Sequence, residues 1–197
     1  MLASITPLGE RGRHSRWART VGAYVFGSLA GGATLGALLG ALGQLLPHQS
    51  PLVLLACFGG ACLIGLVLDA RIGGVRLPTV RRQVNEDWLV RYRGWVYGLG
   101  FGFQLGLGVV TIVTSSAVYL TFLLVLLSGS PWLGGLLGVA FGGVRALPVV
   151  ALVRVTEPGQ LRGVHRRLQA WGTPAARGTS GVLAACAVVA LAAGLRA

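Results

Sequence analysis

The chain is poor in charge, and above all in acidic charge. Its 197 residues include no lysine and only five aspartates and glutamates, and charged residues make up 11% of the total. A soluble domain carries about 25% charged residues, so this chain lacks the polar side chains that would cover a water-facing surface. Intrinsic disorder is excluded as well, because 54% of the residues are hydrophobic.

Side chains that hold metals or carry covalent chemistry are also scarce. The three histidines, His14, His48 and His165, lie in predicted loops or termini, so no pair of them could hold a haem inside a helix bundle. No group of His, Cys and Asp has the spacing of a metal site. The three cysteines fall in apolar segments, which favours buried structural thiols. We therefore predict no cofactor, no metal, no catalytic residue and no enzymatic activity.

Long apolar segments dominate what is present. A membrane-spanning helix needs about 20 mostly apolar residues. Five segments approach or exceed that length, and they cover about 21–46, 52–68, 94–129, 132–153 and 179–195. We predict an all-α, polytopic membrane helix bundle of five spans. Residues 1–20 form a basic segment, and 21–197 form a single transmembrane domain.

Two basic segments between the spans show helical periodicity. Apolar side chains recur every three or four positions in residues 79–92 and 160–171, with arginines between them. This pattern is typical of amphipathic helices that lie at the membrane interface. We therefore predict an interfacial helix in each segment.

The third apolar segment is too long for one straight crossing. Its 36 residues would form a helix of about 54 Å, whereas the hydrocarbon core of a bilayer is about 30 Å thick. Three crossings would not fit into 36 residues. We predict one crossing that is broken at the hydroxyl cluster from Thr111 to Ser116.

The excess of basic residues orients the chain. The formal net charge of +12 would suggest a nucleic-acid partner in a soluble protein. Here, 15 of the 17 arginines fall on one side of the five predicted spans. The positive-inside rule makes that side cytoplasmic, so the N-terminus is predicted to be cytoplasmic and the protein to lie in the inner (plasma) membrane. Anionic lipid head groups are then the expected counter-charge, and no nucleic acid is predicted.

Glycine is abundant, with 32 residues or about 16%, against an average near 7%. Glycines recur at four-residue spacing at Gly32, Gly36 and Gly40, and again at Gly98, Gly102 and Gly106. Such ridges let transmembrane helices approach each other closely. The spacing therefore predicts a tightly packed bundle.

Polar side chains inside the apolar segments define a candidate site. Arg145 lies well inside a predicted span, where charges usually face a cavity or a partner; snorkelling to the cytoplasmic face is the alternative. Asp69, at the end of the second span, is the nearest acidic candidate to pair with it. Pro148 is expected to break the same helix as Arg145. The other candidates lie in the third segment, and they are Gln104, Thr111, Thr114, Ser115, Ser116 and Tyr119.

Two stretches resemble a known membrane family. Residues 97–106, Tyr-Gly-Leu-Gly-Phe-Gly-Phe-Gln-Leu-Gly, are similar to the fourth helix of the transmembrane domain shared by the cytochrome c biogenesis protein CcdA and the thiol-disulfide interchange protein DsbD. Residues 139–148 resemble its fifth helix. The resemblance implies that the five spans match the family's helices two to six, with a broken helix at a central site. The family's redox Cys-Pro pairs have no counterpart here, so its thiol relay is not implied for any residue.

Three functions remain open from the sequence. The first is a transporter in which the candidate site binds a small, anionic or sulfur-containing solute. The second is an accessory protein of thiol-disulfide exchange or cytochrome c maturation, which would use Cys57 or Cys62 with a partner thiol. The third is a non-catalytic subunit that packs with a membrane partner or with another copy of itself.

Overall fold

The computed structural model describes residues 17–47, 50–70, 77, 92–109, 113, 115–150 and 158–194. Six helices lie in these ranges: α1 (Trp17–Gly43), α2 (Pro51–Asp69), α3 (Gly94–Leu107), α4 (Ala117–Ser128), α5 (Pro131–Val150) and α6 (Pro158–Gly194). Within the described ranges the fold is all-helical, as predicted. Helices α1, α2, α5 and α6 are long and apolar enough to cross a membrane, and α4 is a shorter apolar helix.

Large apolar side chains cover the outside of the bundle. Phe26 on α1, Trp132 and Val144 on α5, and Val188 on α6 are 66%, 75%, 66% and 67% exposed. A soluble protein rarely leaves so much apolar surface in contact with water. This exterior fits a lipid environment, in agreement with the predicted membrane class.

Helix α1 is the centre of a three-helix group with α3 and α5. A Cβ atom added at Gly32 of α1 would lie closer than 3.0 Å to the carbonyl of Gly138 on α5. One added at Gly102 of α3 would collide in the same way with the carbonyl of Tyr24 on α1. The helix backbones are therefore in direct contact, which is the packing that the small-residue spacing predicts.

Helices α1 and α5 are antiparallel and share a buried hydrogen bond. Gly134 lies against Gly36, and Gly142 lies against Ser28. The fully buried Ser28 hydroxyl donates to the Gly142 carbonyl over 2.8 Å. Because few polar groups link these apolar helices, this bond fixes their axial register.

We expect Ser28→Ala to lower the free energy of unfolding in detergent by about 1 kcal/mol, because it removes one buried hydrogen bond. The matched control is Thr34→Ala on the same helix, where the hydroxyl is exposed and bonds only to the Ala30 carbonyl of its own helix. The control is expected to stay within about 0.5 kcal/mol of the unmodified protein. Equal losses in the two variants, measured by denaturant titration, would contradict the interhelical role of Ser28.

Helices α2 and α6 form a second group, which α4 joins to the first. Leu183 and Ala187 of α6 are buried in one cluster with Cys62 of α2 and Leu120 of α4. Helix α4 also contacts α1 and α5. The short helix α4 is therefore the element that connects the two groups.

The apolar segment 94–129, predicted to be one interrupted span, contains two helices, α3 and α4. Helix α3 ends at Leu107, and Gly108 follows in the left-handed conformation with φ +71°. Helix α4 begins at Ala117. Helix α3 thus ends before the hydroxyl cluster from Thr111 to Ser116, because the left-handed Gly108 terminates it.

The break lies near the middle of α1. Helix α3 runs parallel to α1, and its Gly106 lies against Ser28 and Gly32. The carbonyl of Leu126 near the end of α4 lies against Gly43. Ala117 lies nine residues, or about 14 Å, before Leu126, so α4 starts about level with Thr34 of α1. Helices α3 and α4 therefore follow one another across the bundle.

The C-terminal part is one continuous helix. The predicted interfacial helix 160–171 and the predicted last span 179–195 fall in one continuous helix, α6. Pro174 lies inside it and does not end it, because proline has a helix-compatible φ and removes only one backbone donor. Residues 79–91 of the predicted helix at 79–92 and residues 1–16 of the basic N-terminal segment lie outside the described residues, and α1 already begins at Trp17.

Candidate functional site at the helix break

One carboxylate holds the start of α4. Asp69 is the last residue of α2, and its Oδ1 accepts a 2.8 Å hydrogen bond from the backbone amide of Ser116. Its Oδ2 accepts from the hydroxyls of Ser115 and Ser116, over 2.9 and 3.0 Å. The first amides of a helix are unpaired and carry partial positive charge, so a carboxylate here stabilises the N-terminus of α4. We call Asp69, Ser115 and Ser116 the carboxylate–serine cluster.

Gly65 allows the carboxylate–serine cluster to form. The Ser116 hydroxyl lies 3.1 Å from the Gly65 carbonyl as well as 3.0 Å from Asp69 Oδ2. A Cβ atom at Gly65 would come within 2.8 Å of Ser116 Oγ and 2.9 Å of Leu120 Cδ1. Glycine at this position therefore lets α2 and α4 approach closely enough for Asp69 to reach the amide of Ser116.

An aromatic pair packs against the end of α3. The rings of Phe122 on α4 and Phe141 on α5 meet edge to face, with centroids 5.5 Å apart. A Cβ atom at Gly108 would fall within 3.0 Å of both rings. A positive φ is also unfavourable for residues other than glycine. The chain therefore needs glycine at 108 for both space and backbone conformation.

Arg145 lies beyond this aromatic pair. Its guanidinium carbon is 5.4 Å from the centroid of Phe141, a distance typical of a cation–π contact. It is close enough to Tyr24 on α1 to interact with it electrostatically. Because Gly142 lies against Ser28 in an antiparallel pair, Arg145 is about level with residue 25 of α1. That is about 10 Å from the level of the break at 1.5 Å per residue.

The structure therefore separates the predicted site residues into two places. Ser115 and Ser116 face Asp69 on α2, whereas Arg145 faces Tyr24 and Phe141. Asp69, predicted as the nearest acidic partner of Arg145, bonds to the serines instead. The carboxylate and the guanidinium thus belong to different helix interfaces.

The remaining predicted site residues lie on α3, α4 and α5 or outside the described residues. Gln104 is half-buried and lies about 200° around α3 from Gly102, which contacts α1. Tyr119 is half-buried on α4. Helix α5 continues through Pro148 to Val150, so it does not break at Pro148 itself. Thr111 and Thr114 lie outside the described residues.

Sequence reasoning missed the role of Asp69 and of the two phenylalanines. A usable signal was present for Asp69, because a carboxylate at the end of an apolar span needs donors. The Ser115–Ser116 pair in the next apolar segment supplies them. Phe122 and Phe141 had no such signal, since apolar side chains in apolar spans look alike in sequence.

The described residues hold no group of three metal-binding side chains. All three thiols are unbridged: Cys57 is exposed, Cys62 is buried and Cys186 is half-buried. Cys186 packs against the cluster that contains Cys62. These thiols thus lie on α2 and α6, and Cys62 is buried against Leu120 in the first turn of α4.

Several curated proteins of one name are similar to most of this chain. The methylamine utilization protein MauF of Methylophilus methylotrophus is 35% identical over 155 residues, and that of Paracoccus versutus is 32% identical over 163 residues. MauF of Methylobacillus flagellatus is 29% identical over 155 residues. These matches cover 75%, 79% and 75% of this chain, but 54%, 59% and 54% of the relatives, so the chain spans little more than half of their length. No family model and no solved structure matches the chain.

These similarities overturn the resemblance to CcdA and DsbD. The relatives are MauF proteins, so the family suggested by residues 97–106 and 139–148 is wrong. The glycine-rich runs that carried the resemblance have a packing explanation instead. Gly102 and Gly106 of α3 and Gly142 of α5 all lie against backbone atoms of α1. Small-residue ridges of this kind arise wherever membrane helices pack closely.

Proposed function

We propose that this protein is a membrane-embedded accessory component of methylamine utilization. The observation that carries the proposal is the 35% identity over 155 residues with MauF of Methylophilus methylotrophus, a methylamine utilization protein. The four long apolar helices support a membrane location. Their glycine-mediated packing supports a compact scaffold that acts together with other proteins.

The same proposal includes a topology. Helices α3 and α4 together make one crossing, because their 14 and 12 residues rise about 39 Å in total. With α1, α2, α5 and α6 this gives five crossings. The concentration of arginine on one side supports a cytoplasmic N-terminus and the inner membrane of the cell.

The arrangement of polar groups favours an accessory role over a solute carrier. The serines of the break bond to Asp69, and Arg145 lies about 10 Å away along α1. The two groups therefore lie at different helix interfaces. The carboxylate–serine cluster instead joins α2 to α4 and so fixes the relative position of the two helix groups.

A gene deletion tests the proposed function. Cells that lack this chain are expected to grow poorly when methylamine is the sole nitrogen source and normally when ammonium is supplied. The unmodified chain supplied in trans should restore growth on methylamine. Growth of the deletion strain on methylamine at the parental rate would contradict the proposal.

A further inference from the structure

The N-terminal half of α6 extends away from the bundle. Among the side chains of α6 that the structure describes, the buried ones are Leu183, Ala187 and Ala190, all in its C-terminal half. From Gly159 to Gly178, every side chain that the structure describes is exposed or partly exposed. The helix has 37 residues and is about 55 Å long, whereas the hydrocarbon core is about 30 Å thick. Close to half of α6 therefore lies outside the hydrocarbon core.

This half is strongly basic. Residues 158–178 contain no aspartate or glutamate and four arginines, Arg162, Arg166, Arg167 and Arg177. Four positive charges on an exposed helix, with no acidic neighbour in the segment, attract an anionic surface. Anionic phospholipids of the cytoplasmic leaflet present such a surface.

The segment also carries an apolar stripe. Apolar residues at 161, 164, 168, 171 and 175 recur every three or four positions, so they fall on one helical face. Trp171, within this stripe, is 72% exposed. Arg166 lies about 200° around the helix from Val164. An apolar face with tryptophan opposite an arginine-rich face is typical of a helix that lies in the membrane interface.

We propose that residues 158–173 of α6, the basic segment, bind the anionic lipid surface of the cytoplasmic leaflet. The apolar stripe enters the head-group boundary, and the arginines stay close to the phosphates. This placement requires α6 to bend between the basic segment and the span. Pro174 is at the junction, and because it has no amide proton it leaves the carbonyl four residues earlier without its helical donor. Kinks in long helices occur at such positions.

Spin labels on the two faces of the basic segment test this proposal. The labels are placed by Val164→Cys on the apolar stripe and by Thr173→Cys on the opposite face, in a full-length chain whose native cysteines are replaced by alanine. The protein is reconstituted in nanodiscs of phosphatidylcholine, alone or with one third phosphatidylglycerol. Collision with oxygen and with a water-soluble nickel chelate is measured by electron paramagnetic resonance.

With phosphatidylglycerol, the label at 164 is expected to collide mainly with oxygen and the label at 173 mainly with nickel. The difference between the two labels in their relative collision rates with oxygen and nickel should fall several-fold in pure phosphatidylcholine or at high salt. It should fall likewise in the Arg162→Gln/Arg166→Gln/Arg167→Gln variant. A label at the lipid-facing position 144 of α5 serves as the control, because none of these changes should affect it. Equal nickel access at 164 and 173 with phosphatidylglycerol would overturn the proposal. Immersion of the label at 164 that does not depend on phosphatidylglycerol would also overturn it.

Discussion

Adding one methyl group at Gly138 is expected to destabilise this protein by about 3 kcal/mol, the upper part of the range for overpacking a close-packed interior. The added Cβ of Gly138→Ala would collide with the carbonyl of Gly32. The obstacle is backbone rather than a flexible side chain, so the collision is relieved only by moving α5 away from α1. That movement also weakens the register bond between Ser28 and Gly142.

The measurement is thermal unfolding in detergent, followed with a thiol-reactive dye. Cys57 is exposed and Cys186 is half-buried, so both are replaced by alanine. Cys62 is fully buried, so its reaction with the dye then reports loss of the packed structure. The matched control is Gly135→Ala on the same helix, where the nearest side-chain atom to the added Cβ is Ala37 Cβ at 3.9 Å. The control is expected to change stability by less than about 0.5 kcal/mol. Similar losses in both variants would refute backbone contact as the basis of α1–α5 packing.

Removal of the Asp69 carboxylate at the helix break is expected to have the second large effect on stability. We expect Asp69→Ala to lower the free energy of unfolding by about 2–3 kcal/mol, because it leaves the amide of Ser116 and the hydroxyl of Ser115 without their acceptor. The Ser116 hydroxyl keeps the Gly65 carbonyl as an acceptor. Asp69→Asn should lower the free energy of unfolding by less, since the oxygen of the asparagine side-chain amide still accepts from the Ser116 backbone amide. It lacks the negative charge that favours a helix N-terminus.

The order of the variants tests the geometry of the carboxylate–serine cluster. Asp69→Ala is expected to be least stable, followed by Asp69→Asn, with Ser115→Ala nearest to the unmodified protein. Ser115→Ala removes one hydroxyl donor and leaves the 2.8 Å bond from Ser116 intact. An Asp69→Ala protein that unfolds at the same temperature as the unmodified one would show that the carboxylate does not hold α4.

The membrane class and the interrupted third span could be predicted because they depend on simple quantities. Hydropathy over about 20 residues marks a span, and a 36-residue apolar segment exceeds the hydrocarbon thickness. The glycine spacing likewise predicted close packing, which Gly32 and Gly102 show. It could not indicate which helices pair, because many ridges in one chain share the same spacing.

The candidate site was predicted less well, for a physical reason. Polar residues in apolar segments are easy to recognise in a sequence. The residue type does not show which neighbour forms a hydrogen bond with each of them. Ser116 was expected near Arg145 and is bonded to Asp69, because the end of α2 and the start of α4 come together only in the folded bundle. The continuity of α6 was not predicted, because residues 172–178 interrupt the apolar pattern between the basic segment and the last predicted span.

We propose that this membrane protein supports methylamine utilization without carrying the solute itself. The most direct test measures initial uptake of radiolabelled methylammonium and growth on methylamine in the same deletion strain. The account predicts that uptake in cells grown on ammonium stays at the parental rate while growth on methylamine is lost. Loss of uptake together with growth, restored by the unmodified chain, would contradict it and identify the protein as the carrier.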